Sequence, residues 1–151
     1  MTATPKVLIV DDQPGDIGWL VDRIAERGYE IVMATNERAA RERLQAVKDG
    51  REKYAAAIFD VMVTTMDLED LVELDEQFFL DSQDTGIRLA HLAREELKLS
   101  ARQLPIAGLT IRDDDEVRKA MEELRIPLFD RTPPARSEGI NRFLDKHLPQ
   151  R

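Results

Sequence analysis

Two hydrophobic periodicities take turns along the chain. Lys6 to Val10 (KVLIV) is an unbroken, largely β-branched run ending at Asp11 and Asp12, the pattern of a strand buried on both faces of a parallel sheet. Ile17, Leu20, Val21 and Ile24 then recur at helical spacing, and Gly28 stands where such a helix stops. Tyr29 to Ala34 predicts a second strand. Asn36 is placed to cap a helix reaching about Asp49, with Gly50 behind it. Tyr54 to Asp60 (YAAAIFD) is a third buried strand, again closing on a carboxylate. Ile87 to Leu99 predicts a helix, Pro105 to Thr110 a fourth strand, and Asp113 or Asp114 a cap for a helix to Arg125. Pro127 to Asp130 is a short fifth strand, and Ser137 to Leu148 a last helix.

Strand and helix alternate five times, which implies an α/β fold: a doubly wound, five-stranded parallel sheet with helices on both faces. At 151 residues the chain is expected to form one domain, residues 1–151. In such sheets reactive groups collect beyond the carboxyl ends of the strands. This chain puts Asp11, Asp12, Asp60, Thr110 and Arg131 there.

Charge changes the picture in one place. The formal net charge is −8. Between Val61 and Ile87 there is no Lys, Arg or His, while eight acids run from Asp67 to Asp84; the rest of the chain is balanced. Residues 61–86 therefore read as an acidic insertion. A surface of that sign repels phosphate backbones, so no nucleic-acid partner is expected. No apolar run is long enough to span a bilayer, and the N-terminus has no signal-peptide core, so a cytoplasmic location away from membranes is expected. The absence of cysteine removes disulfides, thiolate metal sites and thiol nucleophiles.

Three carboxylates gathered at one sheet edge repel one another unless a cation sits among them, and hard oxygen ligands with open positions suit magnesium. A carboxylate beside that ion is able to attack phosphorus and become an aspartyl phosphate. A hydroxyl and a base nearby would offset charge on the transferring oxygens, and Thr110 and Arg131 have that chemistry. His91 and His147 have no ligand spacing and read as helix-surface residues; Trp19 reads as packed on the first helix. Neither a phosphate-binding glycine loop nor a nucleophile elbow is present.

With these residues in place, the chain resembles the receiver domain of two-component response regulators over nearly its whole length. VLIVDDQP is similar to the family's first strand with its acidic pair, IFDVM to the strand carrying the phosphoacceptor, GLT to the strand with the switch hydroxyl, and LFDRT to the last strand. The resemblance implies a flavodoxin-like receiver fold. It implies Mg2+ held by Asp12, Asp60 and the backbone carbonyl of Met62, with Asp11 acting largely through water. It implies a signalling domain rather than an enzyme, in which Asp60 accepts a phosphoryl group from a sensor histidine kinase or histidine phosphotransfer protein. Thr110 would follow the new phosphoryl oxygens, and an aromatic on the fifth strand would turn inward with it. The face of the fourth and fifth helices would then pass the signal to a downstream protein. Because the chain ends just after its last helix, a stand-alone receiver is expected; whether that face also forms a homodimer stays open.

Three departures from the family pattern matter. Aligning LFDR puts Arg131 where the family has lysine; aligning Phe129 as the switch aromatic puts Thr132 there instead. Asp60 and Thr110 lie 50 residues apart, long for the family, and Leu68, Leu71, Val72 and Phe79 suggest an extra acidic helix from about Asp67 to Leu80, overhanging the site. Ile111, Met62 and Arg112 are bulky where the phosphoryl group would sit, which predicts slow formation and slow decay of a phosphorylated state. These departures keep open an alternative, a phosphorylation-independent interaction module that uses the acidic insertion. A haloacid-dehalogenase-type phosphatase is disfavoured because Met62 stands where that family has a second Asp.

Overall fold

A computed structural model describes residues 4–12, 14–61, 85–110, 115–130 and 138–150. Five parallel strands form one sheet: β1 (Lys6–Val10), β2 (Glu30–Ala34), β3 (Ala56–Asp60), β4 (Ile106–Thr110) and β5 (Leu128–Asp130). Their order across the sheet is β2-β1-β3-β4-β5, and every neighbouring pair is parallel. This is the flavodoxin-like doubly wound order. The helices are α1 (Gly18–Glu26), α2 (Glu37–Lys48), α3 (Thr85–His91), α4 (Asp115–Glu123) and α5 (Glu138–His147). A 3-10 turn, Pro14–Ile17, leads into α1.

The strands are apolar on both faces because both faces are covered. Leu8, Val10, Ala57, Phe59 and Ile106 look toward α2, α3 and α4, packing on Leu44, Leu89 and Met121. Val7, Ile9, Ile58, Ala107 and Leu109 look the other way, toward α1 and α5, packing on Leu20, Ile24 and Leu144. β3 and β4 are buried at every position, as expected for central strands. Trp19 packs against the α1–α5 core with the Arg23 guanidinium 5.0 Å from its ring centroid.

Local signals account for the helix ends. The Asn36 side chain accepts the Ala39 amide at 2.8 Å and so caps α2. α4 ends in a paired turn: Arg125 donates to Glu122 O at 3.0 Å and Ile126 to Met121 O at 2.9 Å. α3 differs from expectation at both ends. It is helical already at Thr85, two residues before the predicted start at Ile87. It then widens into a π-type segment, Leu92–Glu96, where Leu97 reaches back to Leu92 O at 2.8 Å. The predicted acidic helix at 67–80 lies outside the described residues.

At the entry end of the sheet, Glu52 accepts from Arg43 at 2.6 Å and from the Tyr54 hydroxyl. Burial pushes Glu52 up, but the Tyr54 and Arg43 hydrogen bonds outweigh it and hold the carboxyl below its ordinary range. Burial and the Glu52 carboxylate push the Tyr54 phenol well up.

Candidate functional site

Each site residue is delivered by the strand before it. β1 and β3 run in the register Val7↔Ala56 to Val10↔Phe59, so one step further Asp11 and Asp60 leave adjacent strands at the same level. The Asp11 amide donates to Ala34 O at 3.0 Å, which ties the exit of β1 to β2. The Val61 amide donates to Leu109 O at 2.9 Å, which ties the exit of β3 to β4. Four strands thereby fix the backbone beneath the acids.

The geometry brings Asp11, Asp12 and Asp60 together. Each offers a carboxylate oxygen, and these oxygens all lie within 4.8 Å of one another. Asp11 is fully buried, Asp60 is 6% exposed and Asp12 is half-buried. Like charges at that spacing repel one another, by roughly 1 kcal/mol per pair even at the dielectric of water. A divalent cation among them converts the repulsion into ligation. Hard carboxylate oxygens, with no nitrogen or sulfur donor in the cluster among the described residues, fit magnesium or calcium rather than zinc or copper.

Thr110 closes β4 and is 8% exposed, one position beyond Leu109, the partner of Asp60. The expected aromatic partner for it is corrected by the β4–β5 register. Leu109 pairs with Phe129 and Thr110 with Asp130. Side chains alternate along a strand, and Leu109 and Phe129 both belong to the core beneath α1 and α5. Phe129 therefore stands on the opposite face from Thr110. Leu128, packed on the other core, holds the β5 position on the face Thr110 shares. Met62, Ile111, Arg112, Arg131 and Thr132 lie outside the described residues.

Residues that the sequence pattern passed over flank the acids. Gly86 donates its amide to Val61 O at 2.8 Å, bringing the chain back from the acidic stretch against the end of β3. A Cβ there would stand 2.8 Å from Val61 O and closer still to the Asp60 carbonyl oxygen. Only glycine fits that approach. The buried Thr85 hydroxyl accepts from Arg88 at 2.9 Å, and Arg88 Nε donates to Glu37 Oε1 at 3.3 Å, linking the starts of α2 and α3. The Thr85–Arg88 pair has helical i,i+3 spacing and was readable; its partner Glu37 is set by tertiary packing alone. His91 lies within 3.3 Å of Glu95 on its own helix and His147 against the Phe143 ring, and neither approaches the acids as a ligand.

No protein-family model and no curated protein matches the sequence. Solved structures do match, across almost the whole chain. A chemotaxis response regulator of Vibrio cholerae is 19% identical with a TM-score of 0.62, covering 97% of this chain and 100% of that one. A CheY-like receiver domain protein of Methanospirillum hungatei is 16% identical with a TM-score of 0.62, covering 97% and 94%. The receiver domain of a Pseudomonas aeruginosa sensor histidine kinase, described with a magnesium ion coordinated in its active-site cleft, is 16% identical with a TM-score of 0.58, covering 97% and 98%. The chain has the fold of CheY-like response-regulator receiver domains. Its acidic cluster stands at the exit ends of the two middle-sheet strands β1 and β3, the place where doubly wound sheets put their chemistry.

Proposed function

We propose that this protein is a receiver that accepts a phosphoryl group on Asp60 from a phosphohistidine of a sensor kinase or phosphotransfer protein and signals through protein contacts. One observation carries the reading: carboxylates from two separate strand ends converge within 4.8 Å on the receiver fold. Asp12 and Asp60 would hold a magnesium ion, with Asp11 behind them and the Met62 carbonyl as a further ligand. That ion, when bound, supplies positive charge to the phosphoryl oxygens and relieves the repulsion among the acids.

The chemistry of the chain itself is then a displacement at phosphorus. An Asp60 carboxylate oxygen attacks, the phosphorus–nitrogen bond of the donor breaks with its electron pair returning to the imidazole, and an acyl phosphate forms. The burial of Asp60 keeps bulk water from the acyl phosphate. The Thr110 hydroxyl donates toward the new oxygens, and Arg131 supplies the second positive charge. The β4–β5 register supports Arg131 over Thr132, because the alternative alignment needs Phe129 on the face of Thr110. With Leu128 rather than an aromatic on that face, the coupling of Thr110 to the α4–β5–α5 surface runs through a smaller side chain.

Beryllofluoride, which mimics a phosphoryl group on a carboxylate, tests the reading. With magnesium present it should shift the amide resonances of Thr110 and Asp60 in wild type and leave Asp60→Asn unchanged. Silence in both proteins contradicts it.

A further inference from the structure

The end of the sheet opposite the acidic cluster carries a second, unrelated feature. A cavity of about 400 Å3 opens there, beside Pro105 and Pro127, the residues that lead into β4 and β5. Its walls hold four cations, Arg94, Arg125, Arg142 and Lys146, and two aromatic rings, Phe129 and Phe143. No acidic residue is among the described residues that line it, in a protein of net charge −8. The aromatic floor is built closely: α5 approaches β5 at Gly139, where a Cβ would stand 2.9 Å from the Phe129 ring. The Phe129 and Phe143 centroids are 6.1 Å apart at 60°.

Two of the cations are held there against local cost. Arg125 has φ 57°, the left-handed conformation in which a helix-ending residue is normally glycine. Arg94 projects from the π-type segment, a helix distortion common at functional sites, and its Nη1 donates to both Leu99 O and Leu104 O at 2.8 Å. Two backbone carbonyls fix that guanidinium, but no carboxylate neutralises it among the described residues. Burial pulls the Arg94 pKa below its ordinary value, a cost that a bound anion would offset. Cations at helix C-termini do complement the helix dipole. That effect gives no reason for a cavity of this volume or for an arginine where glycine is cheaper.

We propose that this cavity binds a nucleotide-sized phosphate ester, its phosphates held by Arg94, Arg125, Arg142 and Lys146 and its planar ring laid against Phe129. Guanidinium forks match phosphate oxygens in pairs, the half-buried Phe129 ring lining the cavity offers an apolar contact to a base, and the volume lies within the range of small-ligand sites. Binding needs neither Asp60 nor a divalent ion, so the proposal stands or falls apart from the phosphoacceptor reading.

Calorimetric titration of the full chain with ADP, in a chelator so that no divalent ion is present, tests it. Adenosine and pyrophosphate serve as the two halves of the ligand. ADP should bind at least tenfold more tightly than either half. Arg125→Gly should raise the thermal midpoint, by releasing the left-handed strain, while weakening ADP at least fivefold. Lys98→Gly is the control: Lys98 has φ 58° and does not line the cavity, so this variant should also be stabilised yet bind ADP as wild type does. No ADP binding at millimolar concentration overturns the proposal. So does binding that Arg125→Gly leaves unchanged, or binding lost in Asp60→Asn. Equal affinity for ADP and pyrophosphate removes the aromatic subsite and overturns the proposed ligand class.

Discussion

The Gly86 amide and the Val61 carbonyl meet at 2.8 Å, so the chain that leaves β3 after Asp60 returns to the same point before α3 begins. Residues 62–84 are thereby an excursion closed at its base. The closure also presses the Gly86 Cα against the backbone of the phosphoacceptor candidate. Gly86→Ala drives a methyl group into the Asp60 and Val61 carbonyls. We expect it to cost roughly 3 kcal/mol, the upper part of the range for overpacking. Chemical denaturation measures the loss, and isothermal titration should show magnesium affinity falling with it. A variant as stable as wild type contradicts the packing described.

Because its base is closed, the excursion should be dispensable for folding. Replacing residues 63–84 by a short Gly-Ser link, which keeps Met62, should leave the far-ultraviolet circular dichroism of the sheet and helices intact. Stability should be unchanged or higher by up to roughly 1.5 kcal/mol, the chain entropy of a shorter closed loop. Removing the acids should also speed labelling by acetyl phosphate, since a field that repels anions is gone. Collapse of the fold would mean that the segment supplies core.

The acidic cluster should trade stability against cation binding. Asp12→Asn removes one of three carboxylates held within 4.8 Å. Without divalent ions the variant should be more stable by roughly 1 kcal/mol, as repulsion falls. Its magnesium affinity should drop at least tenfold. Thermal melts with and without magnesium read both effects, and the melting temperatures of wild type and variant should cross as magnesium is added.

The Glu52 carboxyl predicts a pH effect far from the site. Its pKa is held below the ordinary 4.5, the burial that opposes this being outweighed by the Tyr54 and Arg43 hydrogen bonds. A depressed folded-state pKa means the unfolded chain binds protons first as pH falls. The stabilisation is therefore complete above pH 4.5 and is lost as pH drops through the lower folded value. Glu52→Gln should therefore lower stability at pH 7, where the charged carboxyl contributes in full, and flatten the acid limb of the stability curve, so that the two proteins converge as pH drops through the folded value. Denaturation midpoints taken across that interval decide the matter.

Much of the fold was legible because β1, β3 and β4 are short apolar runs that lead straight to a carboxylate or hydroxyl side chain. KVLIV with Asp11-Asp12 and AAIFD with Asp60 carry both the strand and its chemistry. The Asn36 cap was readable for the same reason: local hydrogen bonding dictates it. What escaped was set by tertiary contact. Nothing local announces that Gly86 must touch Asp60, or that α3 widens at Leu92–Glu96. The face of Phe129 depends on the β4–β5 register, which a three-residue strand leaves undetermined until it pairs with Leu109. The basic cavity draws on Arg94, Arg125 and α5, segments too far apart in sequence to suggest one another.

The central claim, that Asp60 is the phosphoacceptor, is tested most directly by intact-mass spectrometry after incubation with magnesium and a small phosphodonor. Wild type should gain the mass of one phosphoryl group, slowly and lost on raising pH, while Asp60→Asn gains none. Equal labelling of the two proteins, or no labelling of wild type under conditions that label another receiver, would contradict it.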